Sequence, residues 1–124
     1  MGHSKCGGVT AALAAAQANS DPSLTLNNEA ASDPLNLWLA PITKLALELK
    51  PRYFSKSEDD ALEFLIEQNV KRQVDNIAKT EAMKTVWLNE MKGLGRKVRV
   101  HGWIYDLSTG LLKDLDVTRG PGDL

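Results

Sequence analysis

His3 and Cys6 stand three residues apart in the opening segment MGHSKCGGVTAAL, and Gly7 and Gly8 follow the cysteine. Imidazole nitrogen and thiolate sulfur are the donors zinc prefers. At positions i and i+3 beside a helix start, both side chains can face one point. A helix N-terminus favours an anion such as a thiolate. The two glycines let the backbone approach a bound group closely, with their N–H groups free to meet an anion. Taken alone, the residues leave two readings open: half of a metal site, or a surface histidine beside a half-buried cysteine. Met1-Gly2-His3 adds a lesser one, since a terminal amine with a third-position histidine can chelate Cu(II) or Ni(II) in a plane.

The other chemistry-bearing residues read as structural. His101 in VHGWIYDL is expected to pack beside Trp103 in a strand rather than to ligate a metal. Asp106 precedes a turn and stabilises it. Lys71, Arg72 and Lys79 lie among acidic residues and read as a solvated helix face. Trp38, Trp87 and Trp103 sit on apolar faces, which predicts core packing.

These residues need elements to position them. Alanine-rich GVTAALAAAQ predicts a helix over about 8–17. NSDPSLTLNNEAASDP reads as a loop. Asp33 before Pro34 marks a helix start, and Leu35, Trp38, Leu39, Ile42, Leu45, Ala46 and Leu49 then trace one apolar face. Pro41 is expected to kink that helix or begin a second one, and Pro51 to end it. Ser57 and Asp60 open a long helix carrying Leu62, Leu65, Ile66, Val70, Val74 and Ile77 on one face. Thr80 caps the next, with Met83, Val86, Trp87 and Met91 inward and an end near Gly93. The period then changes from 3.6 to 2: KVRVHGWIYDL and LLKDLDV flank STG and predict a β-hairpin over 98–117. TRGPGDL reads as a loose tail.

With 124 residues, 43% hydrophobic and 25% charged, the chain has the size and composition of one globular domain. A net charge of −1 gives no electrostatic footprint for nucleic acid or an acidic membrane surface. No apolar run is long enough to span a bilayer. No secretory core is visible at the N-terminus, so the cytoplasm is the expected location, with an organelle left open. The single cysteine agrees.

Three segments, GHSKCGGVTAAL, QNVKRQVDNIAKT and VHGWIYDLSTGLLKDL, occur in an order and spacing that resemble the C-terminal part of a β-class carbonic anhydrase, over Gly2 to about Val117. The resemblance implies an α/β fold and a zinc-dependent lyase that interconverts CO2 and bicarbonate, the metal activating the attacking water. That family holds its metal with two cysteines and one histidine. Its His-x-x-Cys pair falls on His3 and Cys6, and Gly7 falls where a backbone N–H faces the substrate anion. A homo-oligomer, or pairing with a longer relative, is implied as well.

The family's first zinc cysteine belongs to a Cys-x-Asp-x-Arg segment, and these 124 residues contain none. The expectation is therefore a truncated single domain over 1–124: helices followed by a β-hairpin, with most of the central parallel sheet missing. Zinc bound by two ligands alone is expected to be weak, and CO2 hydration by this chain alone impaired. The alternative is a catalytically inactive fragment or interaction module that pairs with itself or a full-length relative.

Overall fold

The computed structural model describes residues 1–18 and 34–124. The elements run β1 (Gly2–His3), α1 (Gly7–Ala18), α2 (Pro34–Tyr53), α3 (Glu58–Ala78), α4 (Glu81–Met91), β2 (Val100–Tyr105), β3 (Leu112–Arg119) and a closing 3-10 turn at Pro121–Asp123. The strands form one sheet in the order β1-β2-β3. The chain divides into two compact units, one of residues 3–69 and one of residues 1–2 with 70–124.

In the unit of residues 3–69, α1 packs on α2. Alanine permits this: Val9, Ala12, Leu13, Ala15 and Ala16 of α1 are all buried, as are Leu39, Leu45 and Ala46 of α2. Gly8 matters here, because a Cβ on it would sit 3.3 Å from the Trp38 ring and 3.4 Å from Leu39. Buried Tyr53 donates its hydroxyl to the Ala46 carbonyl at 2.8 Å, and burial pushes its phenol pKa up. Arg52 lies 5.1 Å over the Phe64 ring. Lys50 Nζ donates to the Ala16 carbonyl at 3.3 Å, near the C-terminal end of α1.

No second helix begins at Pro41, and Pro51 does not end the helix. Helix α2 runs through Pro41 and ends at Tyr53, beyond Pro51. Each proline removes a ladder hydrogen bond, but both are exposed. The opposite face is packed, and tertiary packing rather than propensity carries the helix through. Pro34 is the first helical residue, as expected; the cap at Asp33 and the preceding loop lie outside the described residues. Leu35 and Trp38, placed on the apolar face, are 59% and 66% exposed.

In α3, Ala61, Leu65, Ile66, Val70 and Val74 make the buried stripe, while Ile77 is exposed. Ser57 caps this helix, accepting from the Asp60 N–H at 3.2 Å. In the unit containing 70–124, Thr80 caps α4 by accepting from the Met83 N–H. Gly93, at φ +72°, closes it: the Gly93 N–H reaches the Glu90 carbonyl and the Leu94 N–H that of Asn89. Trp87 is buried and donates Nε1–H to the Val98 carbonyl at 2.9 Å. Met91, expected inward, is exposed.

The hairpin forms over a narrower span than 98–117 at its start and a wider one at its end. Strand β2 pairs antiparallel with β3, and the register shifts between His101↔Thr118 and Trp103↔Asp114. Leu115, Asp116 and Val117 thus oppose the single residue Gly102, and Asp116 takes the left-handed conformation at φ +54°. Gly102 is required there: a Cβ would collide with Val117 Cγ2 and press on Val74 and Val70. At the turn, Asp106 Oδ1 accepts from the Ser108 N–H at 2.8 Å and its hydroxyl at 2.7 Å, as expected of a turn residue. Those bonds hold its carboxyl below the usual carboxylate range. The tail is not loose: Thr118 and Arg119 belong to β3, Arg119 bonds Asp75 at 2.8 Å, and the Gly120 N–H donates to Asp123 Oδ2 at 2.7 Å.

Candidate metal centre

His3, Cys6 and Gly7 occupy a strand end, a turn and a helix start in succession. Lys5 makes the turn in the left-handed conformation at φ +51°. For a residue with a Cβ that costs about 1–2 kcal/mol. Cys6 is the cap of α1: its carbonyl accepts from the Thr10 N–H and from Thr10 Oγ1, each at 2.9 Å. The first turn's N–H groups, beginning at Gly7, therefore face outward from the helix mouth.

His3 is exposed, and its Nδ1 lies 2.9 Å from the Ser4 carbonyl. A carbonyl oxygen only accepts. The neutral ring making this bond thus carries its proton on Nδ1 and keeps its lone pair on Nε2. Cys6 is a free, half-buried thiol. A Cβ built on Gly7 meets nothing within 4 Å. The arrangement offers one nitrogen donor, one sulfur donor and an open approach.

It does not offer a complete zinc site. Among the described residues no three of His, Cys, Asp and Glu gather where they could hold a metal ion. A catalytic zinc needs three protein donors and an open position; His3 and Cys6 are two. The chain's other histidine is engaged elsewhere. His101 Nδ1 lies 3.0 Å from Thr118 Oγ1, and its ring stacks on Trp103 at 5.5 Å and 16°. This is the strand packing beside Trp103 that the sequence predicts. Trp103 itself is 38% exposed, so only Trp87 of the three tryptophans is a core residue. Arg72 and Lys79 are exposed and Lys71 half-buried.

Two features near the mouth had no sequence signal. The Trp38 ring, which its place on the apolar helix face puts inside, is exposed and rests against Gly8. An open cleft of about 130 Å³ is lined by Thr10, Leu13, Ala14, Gln17, Glu58, Asp59 and Leu62. It joins a face of α1 to the start of α3, a pairing that no local pattern encodes.

The family model described as carbonic anhydrase matches residues 1–112. The chain belongs to the β-class carbonic anhydrases. A carbonic anhydrase of Emericella nidulans is 32% identical over 118 residues, covering 94% of this chain and 43% of that protein. A Coccomyxa β-carbonic anhydrase solved with acetazolamide superposes with a TM-score of 0.73 at 26% identity, covering 96% of this chain and 46% of that one. The β-carbonic anhydrase CafA of Aspergillus fumigatus gives 0.66 at 32%, covering 93% and 46%. One of two tetrameric β-carbonic anhydrases from Sordaria macrospora shares the fold at 0.70 and 22% identity, covering 96% and 51%.

The chain thus spans about half the length of the carbonic anhydrases it matches. Its four helices and small sheet are that part of the β-carbonic-anhydrase α/β fold. No helix among the described residues is long and apolar enough to cross a membrane.

Proposed function

We propose that this chain carries one side of a carbonic anhydrase zinc centre, with His3 Nε2 and Cys6 Sγ as two of the metal's donors and the Gly7 N–H facing the anionic oxygen of bicarbonate. Residues 1–124 are read as a single portion of the family's domain. The observation carrying this is the local geometry: a histidine held with its Nε2 lone pair available, and a free, half-buried thiol at a helix mouth where Gly7 faces open space. Zinc, when bound, supplies activation of water for attack on CO2. The chain's own part is narrower. Ser4 orients the His3 ring, Thr10 fixes the Cys6 backbone, and the first turn of α1 offers N–H groups to an anion. A third donor has to come from outside these residues, and turnover of CO2 to bicarbonate then belongs to the completed centre.

Zinc content, and stopped-flow CO2 hydration on mixing with a separately made segment bearing Cys-x-Asp-x-Arg, test this. Uptake of zinc with hydration appearing only in the mixture, both lost in Cys6→Ser, is the expected result. Equal zinc content in wild type and Cys6→Ser would refute the ligand assignment. Gly7→Ala, whose Cβ has room, should keep zinc and raise the KM for CO2 or bicarbonate.

A second reading has one specific observation in its favour: no third donor accompanies His3 and Cys6 among the described residues. On that reading the chain is an inactive module that pairs with itself or a full-length relative. Inhibition or rescue of a full-length carbonic anhydrase on mixing, unchanged by Cys6→Ser, would select it.

A further inference from the structure

We propose that the C-terminal end of α4 and the turn after it form a peripheral docking ridge for an anionic lipid surface. None of the residues involved belongs to the helix mouth, and neither reading of His3 and Cys6 bears on it. Residues 84–99 hold Lys84, Lys92, Arg96, Lys97 and Arg99, five of the chain's 15 cations, and of its 16 carboxylates only Glu90. The net charge of −1 averages this segregation away. Glu90 is already committed, because Arg99 holds both its oxygens at 2.8 Å. Lys84 pairs with Glu81 on the same helix at 2.7 Å. Lys92, Arg96 and Lys97 are exposed, and Lys92 and Arg96 make no ion pair among the described residues.

Large apolar side chains stand among these cations. Leu88, Met91 and Leu94 are 47%, 66% and 77% exposed. Lys84, Leu88, Met91 and Lys92 fall at positions i, i+4, i+7 and i+8 of α4, which places them on one face. Trp87 fastens the inner side of the helix. The helix closes through left-handed Gly93, with the Gly93 N–H on the Glu90 carbonyl and the Leu94 N–H on that of Asn89. In this closure the residue after the glycine, here Leu94, is turned toward the last helical turns. Gly95, Arg96 and Lys97 then border the apolar tips.

Such a ridge needs a nonpolar medium for its tips and negative charge around them. A bilayer with acidic headgroups offers both in one plane: leucine and methionine enter the acyl boundary, and lysine and arginine stems lie along it with their charges among the headgroups. A helix end is convex, which suits a deformable surface, whereas a protein partner has to bring a groove shaped to it. Apolar insertion and a basic border are the two signals that stable attachment takes. No helix among the described residues is able to span the bilayer, so the attachment is peripheral.

The experiment is flotation of the 124-residue chain with phosphatidylcholine vesicles containing about one third phosphatidylserine. The chain should float with these vesicles, stay behind with pure phosphatidylcholine, and be released by about 0.5 M sodium chloride. Met91→Ser with Leu94→Ser should weaken binding about tenfold. Arg96→Gln with Lys97→Gln should weaken it at least about tenfold. All four positions are exposed, so the circular dichroism of the wild type should persist. Arg96 and Lys97 lie outside the helix and carry the test if the Met91 and Leu94 variant folds poorly. Lys56→Gln, which removes a cation from the other compact unit, should bind as wild type. Absence of flotation would overturn the proposal. So would equal flotation with pure phosphatidylcholine, or wild-type binding by both double variants. Capture by a synthetic helical peptide of leucine and glutamate, without vesicle binding, would overturn the lipid and give the ridge to an acidic protein.

Discussion

Residues 3–69 are packed by small side chains at close range, with α1 alanines and Gly8 against α2 and buried hydroxyl bonds from Thr43 and Tyr53. Residues 70–124 are joined by polar clasps. Arg99 grips both carboxylate oxygens of Glu90 at 2.8 Å, Arg119 grips Asp75 at 2.8 Å, and the Trp87 indole N–H is tied to Val98. The first region bears His3 and Cys6, the candidate metal donors. Its helices approach closely through shape, with Lys50 on the Ala16 carbonyl and Arg52 over the Phe64 ring beside that packing. The second spends its charges on holding a hairpin to helices. The difference teaches two ways to fasten a fold: small residues let one pair of helices approach closely, and arginine–carboxylate pairs fix the hairpin in the other region.

The sharpest way to break the comparison is Trp87→Ala. It empties the core of the 70–124 region and removes one of the two donors to the Val98 carbonyl, leaving Arg99. A loss of about 3–5 kcal/mol is expected, read from urea melts, with the polar clasps unable to compensate. A loss under about 1 kcal/mol would show that the ion pairs alone hold this half. Next comes Gly102→Ala, which drives a methyl into Val117 and should cost about 1–3 kcal/mol. Stability equal to wild type would mean that the β3 bulge relaxes freely. Smaller again is Tyr53→Phe in the other region. Loss of its buried hydroxyl bond to Ala46 should cost about 1 kcal/mol, without changing how stability varies between pH 7 and 3.

The pH dependence is the finest probe. Arg99 holds the Glu90 carboxyl below its usual range, chiefly through its hydrogen bond, and the Ser108 bonds do the same for Asp106. A lowered folded-state pKa means stability that is full above the unfolded value of about 4 and lost as pH falls through the folded one. Acid should therefore loosen the 70–124 region first, seen as faster amide exchange there than in α1 and α2. Glu90→Gln should flatten that dependence; an unchanged slope would remove the ion pair from the account.

The sequence made much of this visible, for reasons that differ by residue. Pro34, Thr80 and Gly93 announced helix ends because capping is local chemistry. The hairpin showed in its period of two. His3, Cys6 and Gly7 showed as a spacing, and the structure sets them at one helix mouth. What stayed hidden was tertiary. Periodicity cannot say which half of an apolar stripe finds a neighbour, so Leu35, Trp38, Ile77 and Met91 were expected inside and lie outside. Proline rules are written for isolated helices, and α2 passes Pro41 because its other face is packed. The left-handed Lys5 and Asp116 follow from neither propensity nor pattern.

The bulge at Asp116 has a bearing on chain length. Three residues of β3 stand where β2 has one, an excess of two. Side chains alternate with a period of two, so adding or removing a pair of residues leaves every side chain on its own face of the sheet. Adding or removing one would turn Thr118 and Arg119 over and pull Arg119 away from Asp75. At this point of the hairpin the coding sequence can vary by six nucleotides and keep the fold's inside and outside, whereas a change of three exchanges them.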